Sequence, residues 1–386
     1  MKKLVNKALA TVVLASVLAG CASEEDSIVM SPVPKVENSF NTKSLWSTSV
    51  GDGVGTYFSK LKPLYAYDKV FVASRDGVVK ALTPEKGDVL WKVEFDQEGP
   101  ARLSGGITAG YSQIFIGSEN GIVYALDEKT GAINWQTKVH GEVLAAPTTD
   151  SNRVIVHSSN GLLMALDEAS GKLQWTINTD VPNLTLRGSS QPVTESGGVF
   201  WGTSSGRLAA AVVEQGQLIW QQPVGTAQGA TEIDRLVDVD ASPIILGSTL
   251  YIVGYNGHLI ALDLRTGKQI WKRSYSSATD MVSDGSRLYL VTDKDHIVAV
   301  DTRSGTELWN NSLLEYRLVT APNLIDGKIV VGDSKGYLYW LDRGTGEFLA
   351  KQKVDSSGFA VGPLALPDGF IVMTRNGKVK KLTIND

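Results

Sequence analysis

The chain has 386 residues, 37 Lys and Arg against 41 Asp and Glu for a formal charge of −4, with 39 Gly, nine Trp and one Cys. One Cys excludes an internal disulfide framework and a Cys-based zinc or iron–sulfur site, and the acidic balance argues against nucleic acid, whose phosphates need clustered Lys and Arg. Hydrophobic residues at 42% and charged residues at 20% describe a chain that folds, as two or three domains or as one large repeat.

Residues 1–20 have the parts of a secretory signal: Lys2, Lys3 and Lys7, then an apolar run over residues 8–19 too short to span a bilayer as a helix. The junction Leu18-Ala19-Gly20-Cys21 resembles the lipobox of bacterial lipoproteins, in which the chain is cut before a Cys that is then lipidated. That resemblance implies a mature chain that starts at Cys21, carries several acyl chains and keeps no free thiol. Several chains make attachment effectively permanent, since each buried CH₂ contributes about 0.8 kcal/mol. Ala22 and Ser23 follow, where the same resemblance would put Asp for inner-membrane retention, so it implies the outer membrane, facing the periplasm. The rest of residues 21–42, with Glu24, Glu25, Asp26, Pro32 and Pro34, lacks apolar periodicity and reads as a flexible tether reaching roughly 25 Å.

Leu45-Trp46-Ser47-Thr48 is a β-rich run that stands alone, and a repeated phrase follows it. Asn120-Gly121, Ala125-Leu126-Asp127, Thr130-Gly131 and Trp135 return as Asn160-Gly161, Ala165-Leu166-Asp167, Ser170-Gly171 and Trp175. They return again as Asn256-Gly257, Ala261-Leu262-Asp263, Thr266-Gly267 and Trp271. Looser copies pair Gly77 with Trp91, Gly206 with Trp220, Asp295 with Trp309 and Gly336 with Ala350, and a last copy opens at Asn376-Gly377. Each copy holds four short β-rich runs divided by tight-turn signals. Eight such units over residues 43–386, about 43 residues each, predict an all-β, eight-bladed β-propeller of four-stranded antiparallel blades. The eighth copy lacks its fourth strand, and the run around Trp46 supplies it, closing the ring and removing two open edges.

The repeated residues suit structural work. Asp127 and its equivalents can accept amides across the following turn, and one carboxylate per blade is too dispersed to hold a metal. Trp46, Trp91, Trp135, Trp175, Trp220, Trp271 and Trp309 read as blade-packing residues, each indole N–H donating to a backbone carbonyl. His140, His157, His258 and His296 occupy different blade positions and read as surface or turn residues. No catalytic residue, metal or cofactor is expected.

The Ala-Leu-Asp…Thr-Gly…Trp phrase resembles the repeat of pyrroloquinoline quinone dehydrogenases, which supports the fold. Those enzymes hold their quinone and calcium with a convergent acidic and basic set, often beside adjacent cysteines, and this chain has no Cys pair. A more specific resemblance lies outside the repeat consensus. It is carried by Leu184-Thr185-Leu186-Arg187-Gly188, residues 214–222 (EQGQLIWQQ), residues 231–240 (TEIDRLVDVD), residues 331–340 (VGDSKGYLYW) and residues 354–359 (VDSSGF). With the lipobox these resemble the BamB family, the lipoprotein subunit of the outer-membrane β-barrel assembly machinery. The resemblance implies a non-catalytic scaffold that binds BamA and, through it, the rest of that machinery, and that assists unfolded outer-membrane proteins. Two other readings are a cell-wall or polysaccharide-binding propeller and a quinone-dependent enzyme. The first would need an aromatic platform, and only Trp201 and Trp340 fall outside the repeat positions.

Breaks in the repeat locate a candidate face. The step from the Trp place to the next Pro is 12–13 residues at Pro147, Pro322 and Pro363, but 17 at Pro192 and 23 at Pro243. Both extra segments join the fourth strand of one blade to the first of the next, on adjacent blades and one face. They carry Leu184, Leu186 and Arg187, and Asp234, Arg235, Leu236, Asp238 and Asp240. Apolar anchors beside charges suit a protein-binding patch; the same residues could also fold under their own loops. The family resemblance selects the first reading, because there these loops receive the periplasmic POTRA domains of BamA.

Overall fold

The computed structural model describes residues 28–95 and 101–385. The signal segment, Cys21 and the first part of the tether lie outside them. The described residues form eight four-stranded sheets, each joining neighbouring strands in antiparallel pairs. Blade 1 runs Leu64–Ala66, Lys69–Ala73, Val78–Leu82 and Val89–Glu94, and the chain repeats this unit through blade 7, which ends at Phe348–Lys353. Blade 8 takes Leu364–Leu366, Gly369–Met373 and Lys378–Asn385 from the carboxyl end and Asn41–Ser49 from the amino end. The register runs from Asn41 opposite Asn385 to Ser49 opposite Lys378. The innermost strands of blades 8, 1, 2, 3 and 4 are successive neighbours, as are those of blades 6, 7 and 8. The fold is an eight-bladed propeller closed by its N-terminal strand.

The repeat phrase explains the blade. The third strand bulges at its Ala-Leu step, as at Ala125/Leu126 and Ala165/Leu166, and the small Ala faces the large Trp of the fourth strand, Ala125 opposite Trp135 and Ala165 opposite Trp175. The following Asp seals the turn: Asp127 Oδ1 accepts Lys129 N at 3.0 Å and Thr130 N at 2.8 Å. These bonds, Thr130 first, hold its carboxyl below the ordinary range. Gly131 then sits at φ +73°, and a Cβ there would lie 2.6 Å from the Trp91 ring, so only glycine lets the preceding blade's indole lie on the turn. The indole N–H donates to the next blade's carbonyl, Trp91 to Glu128 at 3.0 Å, Trp135 to Glu168 at 2.8 Å and Trp175 to Val213 at 2.9 Å. Trp46, Trp271 and Trp309 do the same with Pro84, Thr302 and Arg343. Trp220 departs: its buried nitrogen has no acceptor.

Blade 7 inverts the pair. Trp340 stands on the third strand opposite Ala350 on the fourth, and the space above Ala350 receives Phe40, whose ring meets Trp340 edge-on at 5.8 Å. Trp201 and Trp340 are both sealed from solvent and offer no aromatic platform. Phe40 ends a segment that the sequence assigns to the flexible tether but that the ring holds. Ser31 N donates to Glu315 O, Arg317 Nη1 to Ser31 O, Asn38 Nδ2 to Lys351 O and Ser39 N to Leu349 O. The alternation that betrays a strand is missing because one apolar side chain, Phe40, and a row of hydrogen bonds to backbone carbonyls suffice to fix the strap. Residues 31–40 are therefore part of the folded ring rather than of the expected tether.

Antiparallel alternation fixes the two faces. Connections from a fourth strand to the next first strand share one face with the hairpins between second and third strands; the other hairpins lie opposite. We call the first the connection face.

Candidate docking face

Three connections meet on the connection face. Residues 179–192 join blades 3 and 4, residues 224–243 join blades 4 and 5, and residues 50–63 join the last blade to the first. The third crosses toward the ring's centre and delivers Lys60, whose Nζ donates to Ser189 O and Asp240 O, both at 2.9 Å. One ammonium thus ties together both insertions read from the sequence. Ser190 Oγ adds a bond to Ala241 O at 2.9 Å. Below them a central channel of about 850 Å³ carries Lys62, bonded to Asn323 Oδ1 at 3.0 Å, and Asp280, bonded by Ser242 N at 2.7 Å.

The first insertion exposes Leu184, at 43% of its surface, and half-buries Leu186. Arg187 donates to both oxygens of Glu142 at 2.8 and 3.1 Å and lies 3.4 Å from Glu119. Glu119 is itself gripped by Arg75, at 2.9 Å from Nε and 2.6 Å from Nη2, and the Arg75 guanidinium covers the exposed Tyr57 ring at 3.7 Å. Burial alone would raise the Glu119 carboxyl, but the Arg75 bonds and the Arg187 charge outweigh it and hold it below its ordinary range. An ion-pair row therefore runs from blade 1 to the connection between blades 3 and 4 and fixes the direction of Arg187.

The second insertion divides. Its first half is exposed: Ile233 at 68%, Asp234 and Arg235. Asp234 and Thr231 cap each other, Thr231 N to Asp234 Oδ2 at 3.1 Å and Asp234 N to Thr231 Oγ1 at 3.2 Å, while Arg235 Nε donates to Gly229 O. Its second half is not a surface. Leu236, Asp238 and Asp240 are buried, Asp238 to 1%, because the apolar run Leu236, Val237 and Val239 folds under the loops. Of the eight side chains expected to share an exposed patch, four are exposed, Leu184, Arg187, Asp234 and Arg235; Leu186 is half-buried and the other three are buried. These acids sit beneath the loops, and both carboxylate oxygens of Asp238 lack a hydrogen-bond partner. Burial pushes Asp238 up to about 6, opposed by the Leu186 backbone N–H, and pushes Asp240 up to about 7, opposed by Lys60.

His157 also departs from expectation. It lies on the second strand of blade 3, buried, with Nδ1 3.0 Å from Ser190 O, and burial brings it down to about 4. It supports the first insertion from below. His258 lies 3.2 Å from Val224 O and His296 3.4 Å from Glu315. Sequence reasoning missed Lys60, Glu119, Glu142, Arg75 and Ile233. A signal existed for Lys60, because the step from Trp46 to Pro63 is 17 residues, the same as the lengthened step from Trp175 to Pro192.

The comparisons agree with this architecture. The family model described as outer membrane protein assembly factor BamB matches residues 75–311 and 293–386. The curated relative of that name from Vibrio cholerae is 66% identical over 384 residues, 100% of both chains. The one from Escherichia coli is 45% identical over 392 residues, 99% of each. The crystal structure of BamB from Moraxella catarrhalis superposes with a TM-score of 0.80 at 26% identity, covering 89% of this chain and 100% of that one. On the repeat, the non-repeat segments and these matches together, the chain belongs to the BamB family of outer membrane protein assembly factors.

Proposed function

We propose that the chain is a non-catalytic scaffold of outer-membrane protein assembly, held to the periplasmic side of the outer membrane by lipid on Cys21, that binds BamA through its POTRA domains. The names of its relatives, outer membrane protein assembly factors, support the assembly role. The observation that carries the docking reading is the Lys60 clasp, which holds two insertions as one surface where Leu184, Arg187 and Arg235 stand exposed. Apolar anchors rimmed by oriented charge are what a protein partner needs, and Arg187, already aligned by Glu142, loses little freedom on binding. A non-catalytic role fits the strongly shifted groups on this face, since Asp238, Asp240 and His157 lie enclosed beneath the loops. Contact with unfolded outer-membrane proteins, by pairing along outer blade strands, belongs to the same proposal.

The test is co-purification with BamA from detergent-solubilised membranes. Leu184→Ala with Arg187→Ala should abolish it while leaving the melting temperature of the ring unchanged. Undiminished co-purification would overturn the site.

A further inference from the structure

A second part of the connection face has no role in docking as described above. The connection between blades 6 and 7, residues 312–322, exposes Leu313 at 58% and Leu318 at 65%. Leu318 is held in the left-handed region, φ +54°, as is Tyr316, φ +57°, a conformation that L side chains adopt only when the surroundings impose it. The imposing group is Asp295, which accepts Leu318 N at 2.7 Å and Val319 N at 3.0 Å. The fold thus spends a buried carboxylate and two strained residues to hold an apolar side chain out in water.

The chain's own amino end arrives at this corner. Ser31 N donates to Glu315 O at 3.0 Å, Ser31 Oγ to Leu313 O at 3.2 Å, and Arg317 Nη1 to Ser31 O at 2.7 Å. Ile28 and Val29, just before it, are exposed at 76% and 70%. From Cys21 to Ile28 is seven residues and to Ser31 ten. Fully extended, these span no more than about 25 and 35 Å.

We propose that this corner, with Leu313 and Leu318 at its tip, rests on the lipid bilayer that holds Cys21. The inference depends on the reading of Cys21 as the lipidated residue. Chain length selects the occupant: lipidated Cys21 lies in the bilayer surface, and the strap lets the corner stand no further than about 35 Å from it. The chemistry agrees, because two projecting leucines gain by entering the interfacial region. The neighbouring charges balance: Lys294, whose carbonyl accepts Tyr316 N, and Lys335, beside Ser334 and Arg317, stand with Asp293 and Glu315. The contact therefore needs no anionic lipid. Both the corner and the docking face lie on the connection face, about three blades apart, so membrane and partner meet the ring side by side.

The experiment uses the full lipidated chain in phosphatidylethanolamine and phosphatidylglycerol vesicles. Leu318→Cys gives a single site for a nitroxide label, since the natural Cys is blocked by lipid, and Ser196→Cys on the opposite face is the control. Collision of each label with oxygen, which partitions into lipid, is compared with collision with a water-soluble nickel chelate. The label at 318 should favour oxygen severalfold more than the label at 196, and Leu313→Ser should reduce that ratio. Equal ratios, with the chain still floating with the vesicles, would overturn the membrane contact and leave the anchor standing. Failure of the lipidated chain to float would overturn the anchor reading and this inference with it. Shielding of the label at 318 only on addition of soluble POTRA domains would assign the corner to a protein partner and overturn the proposal.

Discussion

Arg317 grips Asp333 through two hydrogen bonds, 2.8 Å from Nε and 2.6 Å from Nη2, with both side chains sealed from solvent. The carboxylate also accepts Lys335 N, Tyr337 N and Tyr339 Oη, and the arginine's third arm holds Ser31. Arg317→Ala would leave a buried charge unpaired and should cost about 3–5 kcal/mol, read as a fall in the denaturant midpoint. Arg317→Lys keeps the charge but not the fork, so it should recover only part of the loss. Both variants should free the strap, seen as faster proteolysis before residue 40.

Trp91 and Trp220 occupy the same place in blades 1 and 4 but differ in one bond. Replacement by Phe keeps most of the packing and removes the N–H. Trp91→Phe leaves Glu128 O short of a donor and should cost about 1–2 kcal/mol more than Trp220→Phe, whose nitrogen already lacks an acceptor. Chemical denaturation of the two variants side by side measures the difference. Equal losses would mean that the indole bond contributes nothing.

The buried acids make a pH prediction. Asp240 titrates at about 7 in the folded ring, against an ordinary 3.8. Between those values the folded state binds more protons than the unfolded one, so its contribution to stability is complete below about pH 4 and is lost as pH rises to about 7. His157 works in the opposite direction, losing stability as pH falls from about 6.5 to 4. Comparing Asp240→Asn with the natural chain isolates the first effect. The variant should gain relative stability from pH 4 to 7 and then level off, by up to about 4 kcal/mol. A pH-independent difference in unfolding free energy would contradict the assignment.

Lys60 offers a way to disturb the proposed docking face without touching its surface. Lys60→Met removes donors from Ser189 O and Asp240 O and should cost about 1–3 kcal/mol for each carbonyl left dry. With the clasp gone the two insertions move independently, and co-purification with BamA should weaken although Leu184, Arg187 and Arg235 remain. Full retention of the complex would show that the clasp has no part in docking.

These residues also show what a sequence exposes to reading. The blade is legible because its determinants are local: Asp127, Thr130 and Gly131 close one turn within a few residues, and the Ala125–Trp135 pair faces across one hairpin. Leu184 and Arg187 were legible through spacing, since an insertion changes a count. The burial of Leu236, Asp238 and Asp240 was not, because it depends on what lies over and under the loop. Lys60 is 180 residues from Asp240 and 129 from Ser189, and no periodicity connects them. The strap was hidden for a similar reason, as the cavity that receives Phe40 exists only because Trp340 and Ala350 have exchanged places in a distant blade.

Closure by the N-terminal strand has a consequence for how such a chain is made. Asn41 pairs with Asn385, so the first strand of the ring to be made waits for the last. Until then Asn41–Ser49 and Lys378–Asn385 are each an unpaired edge, and the seven finished blades form an open arc with sticky ends. The final step must bring together points more than 300 residues apart, which makes ring closure a late event in folding. Synthesis and folding are thus coupled: the ring is complete only when the strand Lys378–Asn385 has been made and has met Asn41–Ser49.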